Sequence, residues 1–204
     1  LNKLYQPLVN KGAKFFTTSR RGAEMIKYAS NAFLATKITF INEIANLCEK
    51  TNINVEDISL GIGSDSRIGG RFLRAGPAYA GSCFPKDTKG LVSTGDKFKI
   101  DLSVVKSVIK SNQKRKILHS KRINKIIGNI KNKKIAFLGV TFKPNTDDMR
   151  DSTSLNMIPY ICKHGGKVFY YDPTGEKKQF KKIKNCIFKS NIKEVCKNVD
   201  LIIL

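Results

Sequence analysis

Apolar positions recur at three- and four-residue steps through RGAEMIKYASNAFLATKITFINEIANLCE, residues 21–49: Ala23, Ile26, Ala29 or Ser30, Phe33, Leu34, Ile38, Ile41, Ala45 and Cys48. That period predicts one long amphipathic helix. Lys27 and Asn31 stand at i and i+4, so they share a face and can reach one ligand together. Asn54, ahead of VEDISLGIG, is a good N-cap and predicts a short helix ending at Gly61. Residues 62–90 are rich in glycine and have little period, which predicts a loop. From Asp101 the helical pattern returns, with Leu102, Val105, Val108, Ile109, Ile117, Ile123 and Ile126 on one stripe and an end near Gly128. This is one long helix or two abutting ones.

Polar NIKNKK at 129–134 marks a boundary, and beyond it the period changes. KKIAFLGV is a short apolar run suited to a buried parallel strand. Residues 152–164 read as helix, GGKVFYYDP as a second strand, CIFKS as a possible third, and SNIKEVCKNV as a short helix opening at Ser190. DLIIL reads as a further strand. Such alternation predicts a doubly wound parallel sheet with right-handed crossovers. The expected fold class is therefore α/β: an all-helical domain over residues 1–128, joined to a Rossmann-like domain over 129–204. A sheet that stops on a strand without a covering helix also reads as a piece of a longer protein.

Composition alters this picture little. The 204 residues are 41% hydrophobic and 26% charged, ordinary values for a globular chain. No apolar run approaches the roughly 20 residues that cross a bilayer. The start, LNKLYQPLVNKG, lacks the pattern of a secretory signal, so a cytoplasmic location and no membrane partner are expected. The five cysteines are odd in number and form no CxxC pair, and the two histidines lie far apart. Reduced thiols and no metal site are expected. The formal charge of +22 is extreme, but the lysines are spread along the chain. Its densest stretch, KSNQKRKILHSKRINK at 110–125, carries an apolar stripe. The charge reads as solvated surface, with a smaller share attracting an anionic metabolite; no nucleic-acid partner is expected.

Candidate chemistry lies in GPAYAGSCFPKDT, residues 76–88. A thiol, an ammonium and a carboxylate fall within five residues of one another, at Cys83, Lys86 and Asp87, behind residues with almost no side chains. Small residues let a ligand approach the backbone closely, and a thiol near fixed positive charge ionises more easily. Two readings follow from the residues alone: a nucleophile beside a bulky ligand, or a glycine-rich turn with an idle cysteine. Cys48, Cys162, Cys186 and Cys196 sit in apolar contexts and read as core.

Three long motifs together carry a resemblance: GSCFPKD at 81–87, AEMIKYASNAFLATKITFINEIANLCE at 23–49 and GVTFKPNTDDMRDS at 139–152. In order and at plausible spacing, they resemble the UDP-glucose/GDP-mannose dehydrogenase family over nearly the whole chain. The family has an N-terminal Rossmann domain for NAD, a central helical dimerisation domain and a C-terminal UDP-binding α/β domain. No GxGxxG follows a strand here, so the resemblance implies the central domain and part of the UDP domain, with the NAD domain supplied elsewhere.

The resemblance implies oxidation of UDP-glucose to UDP-glucuronate by two NAD, with Cys83 adding to the C6 aldehyde as a thiohemiacetal that is oxidised to a thioester. Lys27 and Asn31 would stabilise the oxyanion at C6, and Asp87 would orient or deprotonate the hydrolytic water. Lys86 and Arg150 would meet NAD. Phe72, Leu73, Arg74, Ala75 and Gly76 would run along the UDP-sugar, with Ala80 close by and Lys143 reaching it from the UDP domain. Lys27 would also touch the sugar. The partners so implied are UDP-glucose, NAD and a second copy of the chain as a homodimer. Phe84 of CFPKD favours UDP-glucose, since GDP-mannose dehydrogenases more often show CLPKD. The alternatives are a non-catalytic dimerisation and UDP-binding module, or a GDP-mannose dehydrogenase. Arg67 occupies a family arginine position without an assignable contact. Ala78 and Ala80 stand where the family commonly has glycines, which makes positive φ or tight ligand approach harder there.

Overall fold

The computed structural model describes all 204 residues. Helices α1 (Asn2–Val9), α2 (Arg20–Thr51), α3 (Val55–Gly63), α4 (Cys83–Lys97) and α5 (Ser103–Ile127) make up the first part. The second alternates β1 (Lys134–Leu138), α6 (Ser154–Lys163), β2 (Lys167–Tyr171), β3 (Cys186–Phe188), α7 (Ile192–Val195) and β4 (Leu201–Ile203). Its four strands are all parallel in the order β3-β2-β1-β4. The order reverses between β1 and β4, which opens a crevice at the strands' carboxyl ends.

The long first helix forms as its period predicts, 32 residues capped by Ser19, whose hydroxyl accepts from the Gly22 amide. It ends on Asn52 in the left-handed conformation. Asn54 caps α3 as expected, through a bond from the Glu56 amide, but α3 runs on to Gly63. In the last helix Asn191, not Ser190, accepts from the Lys193 amide. The reading of 62–90 as loop holds only from residue 64 to residue 82. Cys83 opens α4, and Pro85 fits there because a first-turn amide has no intrahelical partner to lose. Helix α1 carries no signal in the sequence pattern and buries none of its residues.

One cluster, including Ile135, Phe137, Val140, Ile158, Ile161, Val168 and Tyr170, fills the space between the sheet and its helices. Ile123 near the end of α5 belongs to it. Val108 near the start of the same helix packs instead with Ala35 of α2 and Tyr79. Helix α5, 25 residues and about 37 Å long at 1.5 Å per residue, therefore runs through both parts as one rod. The predicted stripe is right at Val108 and Ile123, but Ile117 and Ile126 are exposed. Between the two anchors the inward face is polar, with Asn112, Arg115, Lys116 and Ser120 all buried. Reading this stretch purely as solvated charge is thus incorrect for Arg115 and Lys116.

Lys116 is 2% exposed, and its Nζ donates to the Asp151 carbonyl at 2.8 Å and to the Asp151 carboxylate at 3.2 Å. It pins α5 to the loop after β1. Lys116→Met keeps most of the buried stem and removes both bonds. A loss of about 1–3 kcal/mol is expected, a fall in Tm of roughly 2–10 °C by circular dichroism. An unchanged Tm would show that the pin contributes nothing.

Candidate functional site

Asp87, in the second turn of α4, is 3% exposed and is the centre of the site. Asn31 of α2, itself buried, donates its amide to Oδ2 at 2.5 Å. Lys86 Nζ donates to Oδ1 at 2.7 Å, and Lys27 Nζ lies 3.7 Å from Oδ2. Burial raises the Asp87 pKa, but the hydrogen bonds from Lys86 and Asn31 and the charges of Lys86 and Lys27 outweigh it and hold the carboxyl below its usual range. Lys86 is pushed up by the same contact and stands 5.9 Å over the Tyr28 ring. The spacing of Lys27 and Asn31 on one helical face thus brings both to a single carboxylate.

Cys83 is exposed at the first position of α4, with Sγ 3.7 Å from the Ser82 hydroxyl. The residue before that pair, Gly81, has φ +80°, and its amide donates to the Arg150 carbonyl at 2.8 Å. A Cβ on Gly81 would meet the Phe142 ring at 2.7 Å. Both the φ and the close approach require glycine. Through them the loop after β1 fixes the start of α4. Arg150 itself is exposed and forked onto Asp148, with bonds of 2.8–3.1 Å. Its pKa is raised by the Asp148 hydrogen bond and charge, with a smaller contribution from Cys83. Arg67 makes the same two-residue fork with Asp65.

The residues from 64 to 82 form no regular element, and side chains of the surrounding helices bond their backbone. Lys37 Nζ reaches the carbonyls of Ile68 (2.9 Å) and Gly69 (2.7 Å), and Ser59 Oγ that of Leu73 (2.7 Å). The Asn42 side chain accepts from the Gly76 amide, and Arg115 donates to the Gly76 carbonyl, each below 3 Å. Asn112 pairs with both backbone groups of Tyr79, at 2.8 and 2.9 Å. None of these anchors stands out in the sequence, because a buried Asn, Arg or Lys on a helix has the same local pattern as a solvated one.

Of the expected ligand-contacting residues, Leu73 is buried and its carbonyl is taken by Ser59, so its side chain faces the core. Phe72 adopts φ +65° and packs edge-on against Phe84, ring centroids 6.1 Å apart. Arg74 is exposed. Ala75, Gly76, Ala80 and Lys143 converge on the wall of one cleft of about 1050 Å³, beneath this loop and over the carboxyl end of β1. Ala80 has a negative φ, so alanine costs the backbone nothing there, and Ala78 stands at φ 159°, beside the extended region. Two polar side chains that sequence reasoning missed, His119 and Thr153, line the same cleft.

An exposed cysteine at a helix start, a buried carboxylate gathering two lysines and an asparagine, and a large cleft at the switch point of a parallel sheet are thus carried on one α/β scaffold. The signature of the UDP-glucose/GDP-mannose dehydrogenase family, central domain, matches residues 21–114, and that of its UDP binding domain matches 136–204. The chain belongs to this family. The UDP-glucose 6-dehydrogenase of Rickettsia felis is 45% identical over all of this chain, which covers 46% of that protein. That of Rhizobium meliloti is 49% identical over 86% of the chain and 40% of its own length. Among solved structures, a UDP-glucose dehydrogenase from Pyrobaculum islandicum superposes with TM-score 0.84 at 29% identity, over 91% of this chain and 43% of the other. A UDP-D-ManNAc dehydrogenase from Pyrococcus horikoshii shares the fold, with TM-score 0.76 at 24% identity over 93% and 43%. The chain spans a little under half the length of these relatives.

Asp87→Asn should lower stability at pH 7 by about 1–3 kcal/mol in urea unfolding, since a buried ion-assisted network loses its charge. A depressed carboxyl stabilises above its unfolded pKa of about 3.9, and that contribution disappears as pH falls through the folded pKa. The gap between wild type and variant should therefore close on acidification below about pH 4. A constant gap would rule out the depressed carboxyl.

Proposed function

We propose that this chain is the cysteine-bearing, substrate-side part of a UDP-glucose 6-dehydrogenase, which oxidises the C6 alcohol of UDP-glucose to UDP-glucuronate. The observation that carries the reading is the convergence of Asn31, Lys27 and Lys86 on buried Asp87, within one helical turn of exposed Cys83. The family membership and the relatives' activity agree with it.

NAD, when bound, accepts hydride from C6 in each of the two oxidations. Its pyrophosphate has no cradle in this chain. The turn after β1 is closed on itself, with the Val140 amide bonded to Asp172 and the Val140 carbonyl to Ser152 and Ser154. What these residues offer a dinucleotide is a pair of exposed cations near the thiol, Lys86 and Arg150.

The chain's own groups do the rest. Cys83 Sγ adds to the C6 aldehyde, and its electron pair forms the C–S bond while the carbonyl pair moves to oxygen. Lys27 and the second amide N–H of Asn31 hold that oxygen's negative charge. After the second oxidation the thioester carbon takes water, the C–S bond breaks, and the pair returns to sulfur. Asp87 orients this machinery: its lowered basicity makes it a weak proton acceptor but a firm hydrogen-bond anchor. Gly76, Ala80 and Lys143 border the cleft for the nucleotide part.

The proposed homodimer is supported by α2. Ile26, Phe33, Phe40 and Leu47 recur every seven residues along it, and each is about half exposed or more. A seven-residue apolar repeat on a long helix suits packing against a second helix. Phe40→Glu should turn a dimer into a folded monomer in light scattering. A monomeric wild type, or a dimeric variant, would refute that interface.

The reaction is tested by combining this chain with a nicotinamide-binding half. Cys83→Ser should reduce UDP-glucuronate formation by about three orders of magnitude or more, as for loss of other covalent nucleophiles. Full acid production by the variant would overturn the covalent route.

A further inference from the structure

Helix α4 opens differently from the helices that are capped by a side chain. Ser19, Asn54 and Asn191 each accept an amide of their own helix's first turn, from an extended backbone with ψ between 117° and 156°. Ser82 holds the same position on α4 at φ −84° and ψ −30°, already helical, and its hydroxyl makes no capping bond. Three residues further on stands Pro85, so the third amide that a capping serine commonly takes is missing from the sequence itself. Just before, Gly81 at φ +80° is stopped against Phe142 and the Arg150 carbonyl, which fixes the backbone that leads into Ser82. A serine at a helix start that does not cap the helix calls for another use.

The partner of its hydroxyl is sulfur: Ser82 Oγ lies 3.7 Å from the exposed Cys83 Sγ. The cations close by are committed elsewhere. Lys86 Nζ donates to Asp87 at 2.7 Å, and Arg150 is forked onto Asp148 at 2.8–3.1 Å. Their pKa values are raised first by those carboxylates and only slightly by Cys83. Each cation is thus largely neutralised where it stands. The Ser82 O–H is the neighbouring donor that no other acceptor takes.

We propose that Ser82 is a positioning residue for the nucleophile: its hydroxyl, released from capping, donates to the Cys83 sulfur and holds it at the start of α4 while it carries negative charge. The proposal rests on the covalent reading and deepens it. In that sequence sulfur is anionic twice, before it adds to the C6 aldehyde and after the C–S pair has returned to it from the hydrated thioester. At both points an O–H···S⁻ bond stabilises the charge, and the proton stays on oxygen. The separation of 3.7 Å belongs to the neutral thiol, and an ionised acceptor shortens such a bond.

The 204-residue chain tests this without turnover. Of its five free cysteines only Cys83 is exposed, so alkylation by iodoacetamide can be followed across pH on the peptide that carries it, by mass spectrometry. Ser82→Ala should react about 5–10-fold more slowly than wild type near neutral pH, one hydrogen bond's worth, with its profile displaced toward alkali. Ser82→Thr keeps a hydroxyl and should react as wild type does. Thermal unfolding separates this from a structural role: losing a helix cap lowers Tm by about 2–4 °C, whereas Ser82→Ala should leave Tm unchanged. Equal alkylation of wild type and Ser82→Ala would overturn the assignment. So would slow alkylation of both variants with a lowered Tm, which marks a structural residue. Alkylation needs no substrate, so these outcomes leave the covalent route to the Cys83→Ser comparison, and either reading can fail without the other.

Discussion

The inward face of α5 is the constraint on which the remaining structure depends. Five positions along it meet five different neighbours. Val108 enters the helical core, Asn112 binds both backbone groups of Tyr79, and Arg115 holds Gly76. Lys116 then ties down Asp151, and Ile123 enters the core of the sheet domain. Rotating this helix by one residue would misplace all of them together. Its polar middle is what an irregular loop requires: residues 70–80 make no backbone–backbone hydrogen bonds, and burying those groups unbonded would be prohibitive. Side chains from α2, α3 and α5 replace the missing ladder.

The same arrangement positions the chemistry. The loop runs from the cleft wall at Gly76 and Ala80 to Gly81, where the Phe142 ring and the Arg150 carbonyl stop it. Cys83 follows at once as the first residue of α4. The thiol is thus fixed from two sides, by α2 through Asp87 and by the sheet domain through Gly81. The first fix lies within the helical part, and only the second needs both parts together. This explains why a buried lysine is used at their junction: Lys116 acts as a long arm whose three N–H groups reach a carbonyl and a carboxylate together.

Much of this was legible in the residues. The 3.6-residue period gave α2 and α5, and the short apolar runs gave all four parallel strands, because burial imposes those patterns directly. The GSCFPKD stretch and the Lys27–Asn31 spacing pointed to residues that do converge on Asp87. What stayed hidden was polar burial. Asn31, Thr39 and Asn42 lie on the buried side of α2, while Ile26 and Phe33 are exposed, the reverse of what apolar periodicity expects. Periodicity ranks residues by hydrophobicity, so a face that buries hydrogen-bonding groups for a loop is assigned to solvent. His119 and Thr153 escaped for a related reason: they stand on different elements, α5 and the cap of α6, and border one cleft only in the folded chain.

The high positive charge also takes on a more specific meaning. Most of the 38 Lys and Arg residues are surface, yet those that shape the site are each set against a carboxylate or a carbonyl. Lys27 and Lys86 face Asp87, Lys177 faces Asp172, Lys116 faces Asp151, and Arg115 faces Gly76. With only 16 acidic residues in the chain, committing Asp87, Asp148, Asp151 and Asp172 to these contacts leaves few to offset the surface lysines. The surface therefore carries an unbalanced positive field, while the paired lysines inside the fold are locally neutralised and geometrically fixed. Long-range field and local structure are divided between different lysines, and only the second kind depends on the fold.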